Sequence, residues 1–297
     1  MITTRSFIDQ IWVDLNSPTK EEVDSLILTH NISPTVAKDM LTPTPTQHAE
    51  EFGENIYTVI HIPSLHSTEN NQEVDLLIAD KSLITSRYDS IDALHYFSKR
   101  IEVDDILNKK EDSHIFFEMM KDIYQSIINE LAFMDDQMKR IEKNIFENKE
   151  KDMVLAISNA SRILLNFKRT LDPHGKIFEF LRDTGNEKFG GQFKKNANDI
   201  LEEWRQVMRM VNNQIDLATE LRETNNSMLS TKQNEVMKTL TILAFVTFPL
   251  SMVASIFGMN AINMPIIGTA YDFWKILGLM ITISLAMFAY FKYKKWI

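Results

Sequence analysis

The residues near the end of the chain whose types could do chemistry are Gly258, Met259 and Asn260, which directly follow an uncharged apolar run. Glycine and asparagine favour turns, and the Asn260 amide offers an oxygen that can hold a cation or its bound water. If several copies of the run surround a pore, their Asn260 oxygens form a ring at its entrance. The tripeptide therefore predicts a site for a hydrated cation.

A row of residues extends this candidate site along the apolar run. They recur at helical spacing, which places them on one face of a helix, and all but Phe248 are small or polar. Two interpretations are open: small and hydroxyl residues let membrane helices pack closely, and hydroxyl and amide oxygens can line an ion path. The row consists of Asn234, Thr241, Ala244, Phe248, Ser251, Ser255 and Gly258.

Two uncharged stretches, Thr239–Phe257 and Ile276–Phe291, are long enough to be membrane spans. A spanning helix needs about 20 mostly apolar residues. Aromatic residues and lysines flank the second stretch, as is typical of the membrane interface, and this disfavours two buried core helices of a soluble protein. Lysines precede the first stretch and follow the second, whereas the loop between them carries only Lys275 and Asp272. The positive-inside rule then predicts that both termini are cytoplasmic.

Charge is distributed unevenly along the chain. Residues 232–297 hold six lysines and two acids, and the first 231 residues hold 26 basic and 39 acidic residues. An acidic part of this kind argues against nucleic acid as a partner and suits a surface that accumulates cations. The chain has no cysteine, and no phosphate-binding loop or metalloprotease pattern occurs in it. The sequence therefore does not predict an enzyme.

The order of sequence patterns predicts an α/β domain followed by long helices. The regions rich in β-branched and aromatic residues are Phe7–Val13, Asn55–Ile62, Glu73–Ala79 and Ser82–Arg87. Helical spacing of apolar residues follows over Ser113–Asn148 and from Asp152 to Leu171, and neither Gly nor Pro occurs between Gly191 and Pro249. We expect a cytosolic α/β domain at 1–110, a long-helix stalk at 111–236, and a two-helix membrane domain at 237–297 with an external loop at 258–275.

These features resemble the CorA family of magnesium channels. The resemblance rests on two C-terminal spans, Gly258-Met259-Asn260 after the first of them, and the basic, aromatic tail from Phe291 to Trp296. It extends to Asn234–Lys238 at the entry to the first span, and to Asp39–Leu41 and Glu51–Tyr57 in the first domain. The sequence departs from the family at Ile266, where a glutamate usually follows Met-Pro, and at Ser255, where a small residue such as glycine is common.

The resemblance implies a funnel-shaped homopentamer in the inner membrane that takes up Mg²⁺ passively. Gly258, Met259 and Asn260 would form the selectivity filter, with Asn260 holding the hydrated ion. The pore lining would be Asn234, Met237, Thr241, Phe248, Ser251 and Ser255, with apolar constrictions at Met237 and Phe248. Mg²⁺ bound between cytosolic domains would keep the pore shut, and by position Asp39 and Asp199 are candidates for that site. The alternative is that these two acids are ordinary solvated residues on helix surfaces.

Three functions stay in view. The first is Mg²⁺ uptake gated by cytosolic Mg²⁺. The second is transport of Co²⁺, Ni²⁺ or Zn²⁺ by the same architecture, although relatives that carry zinc commonly change the methionine that is Met259 here. The third is a membrane-anchored sensor that conducts no ion, against which the polar row and Asn260 argue.

Overall fold

The computed structural model describes residues 2–7, 9–30, 32–65, 67–106, 113–259, 266–268 and 271–296. The chain divides into two compact units, Met1–Glu223 and Thr224–Ile297. The boundary between the units falls inside one long helix, Gly191–Phe257. The three-part division expected from the sequence stays a prediction.

A six-stranded sheet forms the centre of the first unit. Its strands are β1 (Ile2–Phe7), β2 (Gln10–Asn16), β3 (His48–Phe52), β4 (Asn55–Ser64), β5 (Ser67–Ala79) and β6 (Ser82–Arg87). They lie in the order β1-β2-β6-β5-β4-β3, in which only the β2–β6 pair is parallel. The prediction of one strand over Phe7–Val13 is wrong, because β1 ends at Phe7 and β2 begins at Gln10.

Helices cover both faces of the sheet. On one face, α1 (Lys20–His30) and α2 (Pro34–Asp39) pack apolar side chains such as Val23 and Val36 against Val59 and Leu77. Ser33 caps α2 by accepting a hydrogen bond from the Thr35 N–H at 3.1 Å. The Trp12 side chain on the opposite face lies 5.2 Å, between ring centroids, from Phe97 of α3 (Asp92–Ile106).

The remaining helices are α4 (Ile115–Phe146), α5 (Glu150–Leu171), α6 (His174–Phe189), α7 (Gly191–Phe257) and α8 (Asp272–Tyr293). The apolar row predicted for α4 is buried throughout: Ile123, Ile127, Leu131, Met134, Met138, Ile141 and Ile145. Within the first unit, α7 contacts α4 through a hydrogen bond from Gln214 Nε2 to the Leu131 carbonyl at 2.7 Å, and α5 through one from Arg222 Nη2 to Ser161 Oγ at 2.9 Å. The long uninterrupted helix that the sequence predicts is confirmed, and it continues through Pro249.

Two described helices, α7 and α8, are long and apolar enough to cross a membrane. In each, none of the most apolar stretch of 18 residues is buried inside the structure. Both predicted spans lie within these helices. An apolar surface of this size is covered by lipid or by other chains, because exposure to water costs about 25 cal/mol per Å².

One buried histidine joins three elements of the first unit. Tyr124 OH donates to His174 Nδ1 at 2.8 Å, and His174 Nε2 donates to the His61 carbonyl at 3.0 Å. Burial lowers the pKa of His174 to about 4, because the charged ring would lose its hydration. The ring is therefore neutral in the folded chain at neutral pH.

This histidine should make folding stability depend on pH. The unfolded chain binds a proton at His174 below pH 6.5 that the folded chain does not bind until about pH 4. Stability therefore falls as the pH is lowered across this window, by about 2 kcal/mol between pH 7 and pH 5. We expect His174→Gln, whose amide can donate and accept without titrating, to show a smaller drop in thermal midpoint between these pH values in detergent.

The matched control is His95→Gln, which removes an exposed histidine from α3. It should keep the wild-type pH dependence. An equal pH dependence in His174→Gln and the wild type would show that His174 does not carry the effect.

Candidate functional site

The predicted pore-lining residues share one side of the membrane part of α7. On an ideal helix they and Gly258 fall within an arc of about 120°. Thr241 is half-buried and the others are exposed, with 74% of Phe248 and 60% of Met237 accessible. The exposed row is Asn234, Met237, Phe248, Ser251, Ser255 and Gly258.

The opposite side of the same helix is partly covered by the rest of its unit. Its half-buried residues recur at helical spacing and centre roughly opposite the polar row: Ile242, Val246, Pro249, Leu250, Val253 and Phe257. The α8 helix contacts α7 through Phe291, whose ring lies 6.4 Å from that of Phe245 and 5.8 Å from that of Trp296, between centroids. Phe245 lies beside the polar row rather than among the half-buried residues, so this ring contact does not mark the apolar side. The half-buried residues alone show that the more covered side of α7 is opposite the polar row.

The Thr241 hydroxyl is oriented by its own helix. Its Oγ1 donates to the Met237 carbonyl at 2.7 Å, four residues earlier. Because the proton is used in this bond, the oxygen lone pairs are available to accept hydrogen bonds from water. A threonine held in this way can bind the water shell of a cation without carrying charge.

The first span ends in a turn that suits glycine. The Gly258 N–H donates to the Ala254 carbonyl at 2.9 Å, and a Cβ at Gly258 would lie 3.0 Å from that oxygen. Met259 follows as an exposed residue, with its N–H donating to the Ile256 carbonyl at 3.4 Å. Asn260, the predicted ion-holding residue, lies outside the described residues.

The Asp272 carboxylate at the start of α8 is already engaged. Its Oδ2 accepts a hydrogen bond from the Gly268 N–H at 2.6 Å, and its Oδ1 lies 4.0 Å from Lys275 Nζ. Ile266 and Tyr271 adopt φ angles of 78° and 74°, which are uncommon for residues other than glycine. The role of Asp272 in shaping the loop was missed from the sequence. An acid at the first position of a helix, four residues after a glycine, is the signal that could have indicated it.

The two predicted regulatory acids lie in different surroundings within the first unit. Asp39 ends α2, is half-buried, and acts electrostatically on Tyr57, Asp75 and Tyr88. Asp199 is exposed on α7, where its charge helps to raise the pKa of Glu203 after the larger effect of burial. Over the residues that the structure describes, no group of three or more acids or histidines within the chain could hold a metal ion.

A family model described as "CorA-like Mg2+ transporter protein" matches residues 9–294. The chain belongs to this family. CorA-family proteins are divalent-cation transporters, and the chain is one of them. The family is therefore a class of transporters rather than of enzymes.

Individual relatives match over more than three quarters of their length. The chain is 26% identical to the "Cobalt/magnesium transport protein CorA" of Thermotoga maritima over 271 residues, which cover 90% of this chain and 77% of the relative. It is 22% identical to the "Putative metal ion transporter YfjQ" of Bacillus subtilis, with coverage of 96% and 89%. The complete structure of the CorA magnesium transporter from Methanocaldococcus jannaschii superimposes with a TM-score of 0.85 at 19% identity, covering 99% of this chain and 94% of that one. The α/β domain, the long helix and the two C-terminal apolar helices are thus the CorA fold.

Cysteine accessibility tests which side of α7 faces water. The chain has no cysteine, so each substitution introduces a single thiol. In the reconstituted protein, we expect Ser251→Cys and Ser255→Cys to react with a membrane-impermeant cationic thiol reagent, which is the result predicted for a row that lines a hydrated path. The measurement is the rate of thiol modification.

Val253→Cys is the matched control, since it lies between the two serines but on the covered side of the helix. It should react at least tenfold more slowly. Equal rates at all three positions, or a faster rate at Val253→Cys, would contradict the assignment of the row to a pore.

Proposed function

We propose that the chain forms a homopentamer in the inner membrane that takes up Mg²⁺ passively and is closed by cytosolic Mg²⁺. The observation that carries the proposal is the polar row of α7, which is exposed except for the half-buried Thr241, while the apolar residues on the opposite side are half-buried. Membership of the CorA-like family supports the choice of ion. Both termini are cytoplasmic in this proposal, because the lysines lie on that side of the two spans.

The proposed path suits an ion that keeps its water. Mg²⁺ demands octahedral oxygen ligation and dehydrates reluctantly, so neutral oxygens that bind its water shell let it pass. Thr241, Ser251 and Ser255 supply hydroxyl oxygens, and Asn234 and Asn260 supply amide oxygens at the two ends of the row. A ring of carboxylates in the same place would hold the divalent ion too firmly for conduction.

Two apolar residues of the row are the proposed gates. The Met237 and Phe248 side chains are large, apolar and exposed on the side that would face the pore. A ring of such side chains closes a narrow path by excluding water, without physically filling it. The selectivity filter remains Gly258, Met259 and Asn260, of which Asn260 would hold the hydrated ion.

Closure is proposed to come from Mg²⁺ bound between subunits by Asp39 and Asp199. Two carboxylates and retained waters are a common ligand set for Mg²⁺. In this proposal the two acids come from neighbouring subunits, which agrees with the absence of any group of three or more possible metal ligands within the described part of one chain. The bound cation would then link subunits and favour the closed pentamer.

Transport of Co²⁺, Ni²⁺ or Zn²⁺ is the second candidate. The name of the Thermotoga maritima relative includes cobalt as well as magnesium, and this favours Co²⁺ among the alternatives. Soft or borderline metals prefer nitrogen and sulfur ligands, whereas the polar row offers mainly oxygen. The row therefore favours Mg²⁺ over Zn²⁺.

Flux into proteoliposomes tests the function. We expect influx of Mg²⁺ down its gradient, with weaker influx of Co²⁺ and the least of Zn²⁺, measured with an ion-sensitive dye in the vesicle lumen. Asn260→Ala should lower Mg²⁺ influx at least tenfold, because the ring of amide oxygens is lost. Flux of none of these ions in the wild type would favour the non-conducting sensor.

The matched control for Asn260→Ala is Asn263→Ala, which removes an amide three residues further along the same loop. It should retain most of the wild-type influx. Normal Mg²⁺ uptake and selectivity in Asn260→Ala would remove Asn260 from the filter.

Protection from proteolysis tests the regulatory site. In the wild type, Mg²⁺ should slow cleavage of the full-length pentamer by chymotrypsin, because bound ions hold subunits together. Chymotrypsin does not cleave at the lysines that the variants introduce. Asp39→Lys and Asp199→Lys should each shift this protection to at least tenfold higher Mg²⁺ concentration. Asp24→Lys, which reverses an exposed acid on α1, should respond as the wild type does. If either variant also responds as the wild type does, that residue is not part of the site.

A further inference from the structure

The segment that follows α2 is held against the sheet by polar side chains. We define the Asp39 segment as residues 39–44. Two hydrogen bonds attach its beginning: Ser86 Oγ donates to the Met40 carbonyl at 3.0 Å, and Tyr88 OH donates to the Asp39 carbonyl at 3.3 Å. The segment therefore depends on side chains that project from the sheet.

Two further bonds attach the end of this segment. The Thr44 N–H donates to Glu73 Oε1 at 2.7 Å, and the Thr44 carbonyl lies 3.0 Å from His61 Nε2, which can donate to it. The other Glu73 oxygen lies 3.5 Å from the same His61 nitrogen. Glu73 thus accepts a hydrogen bond from the segment with one oxygen, and its other oxygen lies close to the His61 ring.

Asp75 lies buried among these attachments. It pairs with Val59 of β4 and Ser86 of β6 in the register of the sheet, on the same face as Glu73 and Leu77. Its side chain is 0% exposed, and over the described residues neither carboxylate oxygen has a hydrogen-bond partner of good geometry. The Tyr57 hydroxyl, which is also buried without such a partner, is close enough to lower the pKa of Asp75, but burial has the larger, opposite effect. An ionised carboxylate in such a place would lose its hydration with little to replace it.

The groups that act most strongly on Asp75 do not supply a compensating positive charge. Burial raises the pKa of Asp75 well above its usual range, and the negative charges of Glu73 and Asp39 raise it further. The titratable side chains facing it are Tyr57 and His61 from β4, Glu73 from β5, Tyr88 after β6 and Asp39 from α2. Arg87 lies on the opposite face of the sheet, where it pairs with Asp14 at 3.0 Å.

We propose that Asp75 is a proton-binding site, and that its bound proton fastens the Asp39 segment to the sheet. The proton makes Asp75 a donor toward Glu73, its neighbour on the same face of β5. Glu73 in turn accepts the Thr44 N–H. When Asp75 releases this proton to the solvent, the two buried carboxylates repel each other. Glu73 then no longer holds its position as acceptor for the Thr44 N–H.

The proposal rests on the proposed function in one respect: Asp39 is a proposed ligand of the regulatory ion. The proton-binding site itself does not depend on that function.

The proton on Asp75 should also affect how the stability of the fold depends on pH. The folded chain keeps a proton at Asp75 that the unfolded chain releases above pH 3.8. Stability from this group is therefore present at low pH and is lost as pH rises through the raised pKa.

Infrared spectroscopy of the full-length protein in detergent tests for the proton directly. We expect a band from a buried, protonated carboxyl group at pH 7 that disappears at alkaline pH and is absent from Asp75→Asn. The matched control is Asp80→Asn, the same chemical change at the exposed turn between β5 and β6, which should keep the band. A wild-type spectrum without a band that Asp75→Asn removes would overturn the proposal.

Hydrogen exchange tests whether the proton holds the segment. Peptides spanning Leu41–Thr46 report on it, and Pro43 and Pro45 contribute no amide. Below the pH at which the band disappears, protection in the wild type should fall by up to about tenfold per pH unit as the pH rises, after correction for intrinsic exchange, because the opened segment releases the proton that the closed one keeps. Protection should level off once the band is lost. Asp75→Asn should keep its protection over the same range, because its amide does not ionise.

Two outcomes would overturn the coupling. One is the same pH dependence of protection in Asp75→Asn, Asp80→Asn and the wild type. The other needs no variant and applies even if Asp75→Asn does not fold: in the wild type, protection that does not change with pH until the band is lost, or that keeps falling after the band is lost. Neither measurement uses ion flux, so a failure of the transport proposal would be seen separately.

Discussion

The apolar surface of α7 and α8 is the constraint on which the rest of the molecule depends. Each helix has an 18-residue apolar stretch in which no residue is fully buried by the described part of the chain. Inside a bilayer, backbone groups must be satisfied within the helix, so neither span can be interrupted by irregular backbone. Pro249 is accepted there because it removes one backbone donor without ending the helix. The same constraint makes polar side chains costly on the lipid side, and the polar row therefore needs water or another chain beside it.

The two sides of α7 differ in burial and in polarity. The side that includes Val246 and Val253 is partly covered within the chain, whereas the side with Ser251 and Ser255 is free. This division explains why small hydroxyl residues and a large aromatic residue, Phe248, can share one row. In close helix packing, a side chain of that size would hold the neighbouring backbone away. In a pore lining, it is compatible with small neighbours because it projects into open space.

Much of the fold could be predicted because its signals are local. The β6 bounds match the predicted Ser82–Arg87, and all seven apolar residues predicted for α4 are buried. The failures occur where local signals are weak. Apolar and β-branched residues continue from β1 into β2 with no Gly or Pro between them, and β3 is a short edge strand with two exposed acids. Asp75 could not be singled out from the sequence, because its isolation depends on neighbours from β4, β6 and α2 that are distant along the chain.

In the proposed pore, ion selection at the loop after the first span depends mainly on uncharged groups. Asp272 is engaged by the Gly268 N–H and lies near Lys275, so its charge is partly offset. Ile266 supplies no charge at the position where the family usually has glutamate, and it adopts a positive φ that is costly for a β-branched residue. In the proposed pore, an uncharged residue at this position would weaken the negative field at the mouth and reduce the concentration of ions by long-range attraction. In the proposed filter, discrimination would therefore rest on how the Asn260 oxygens fit the water shell of the ion.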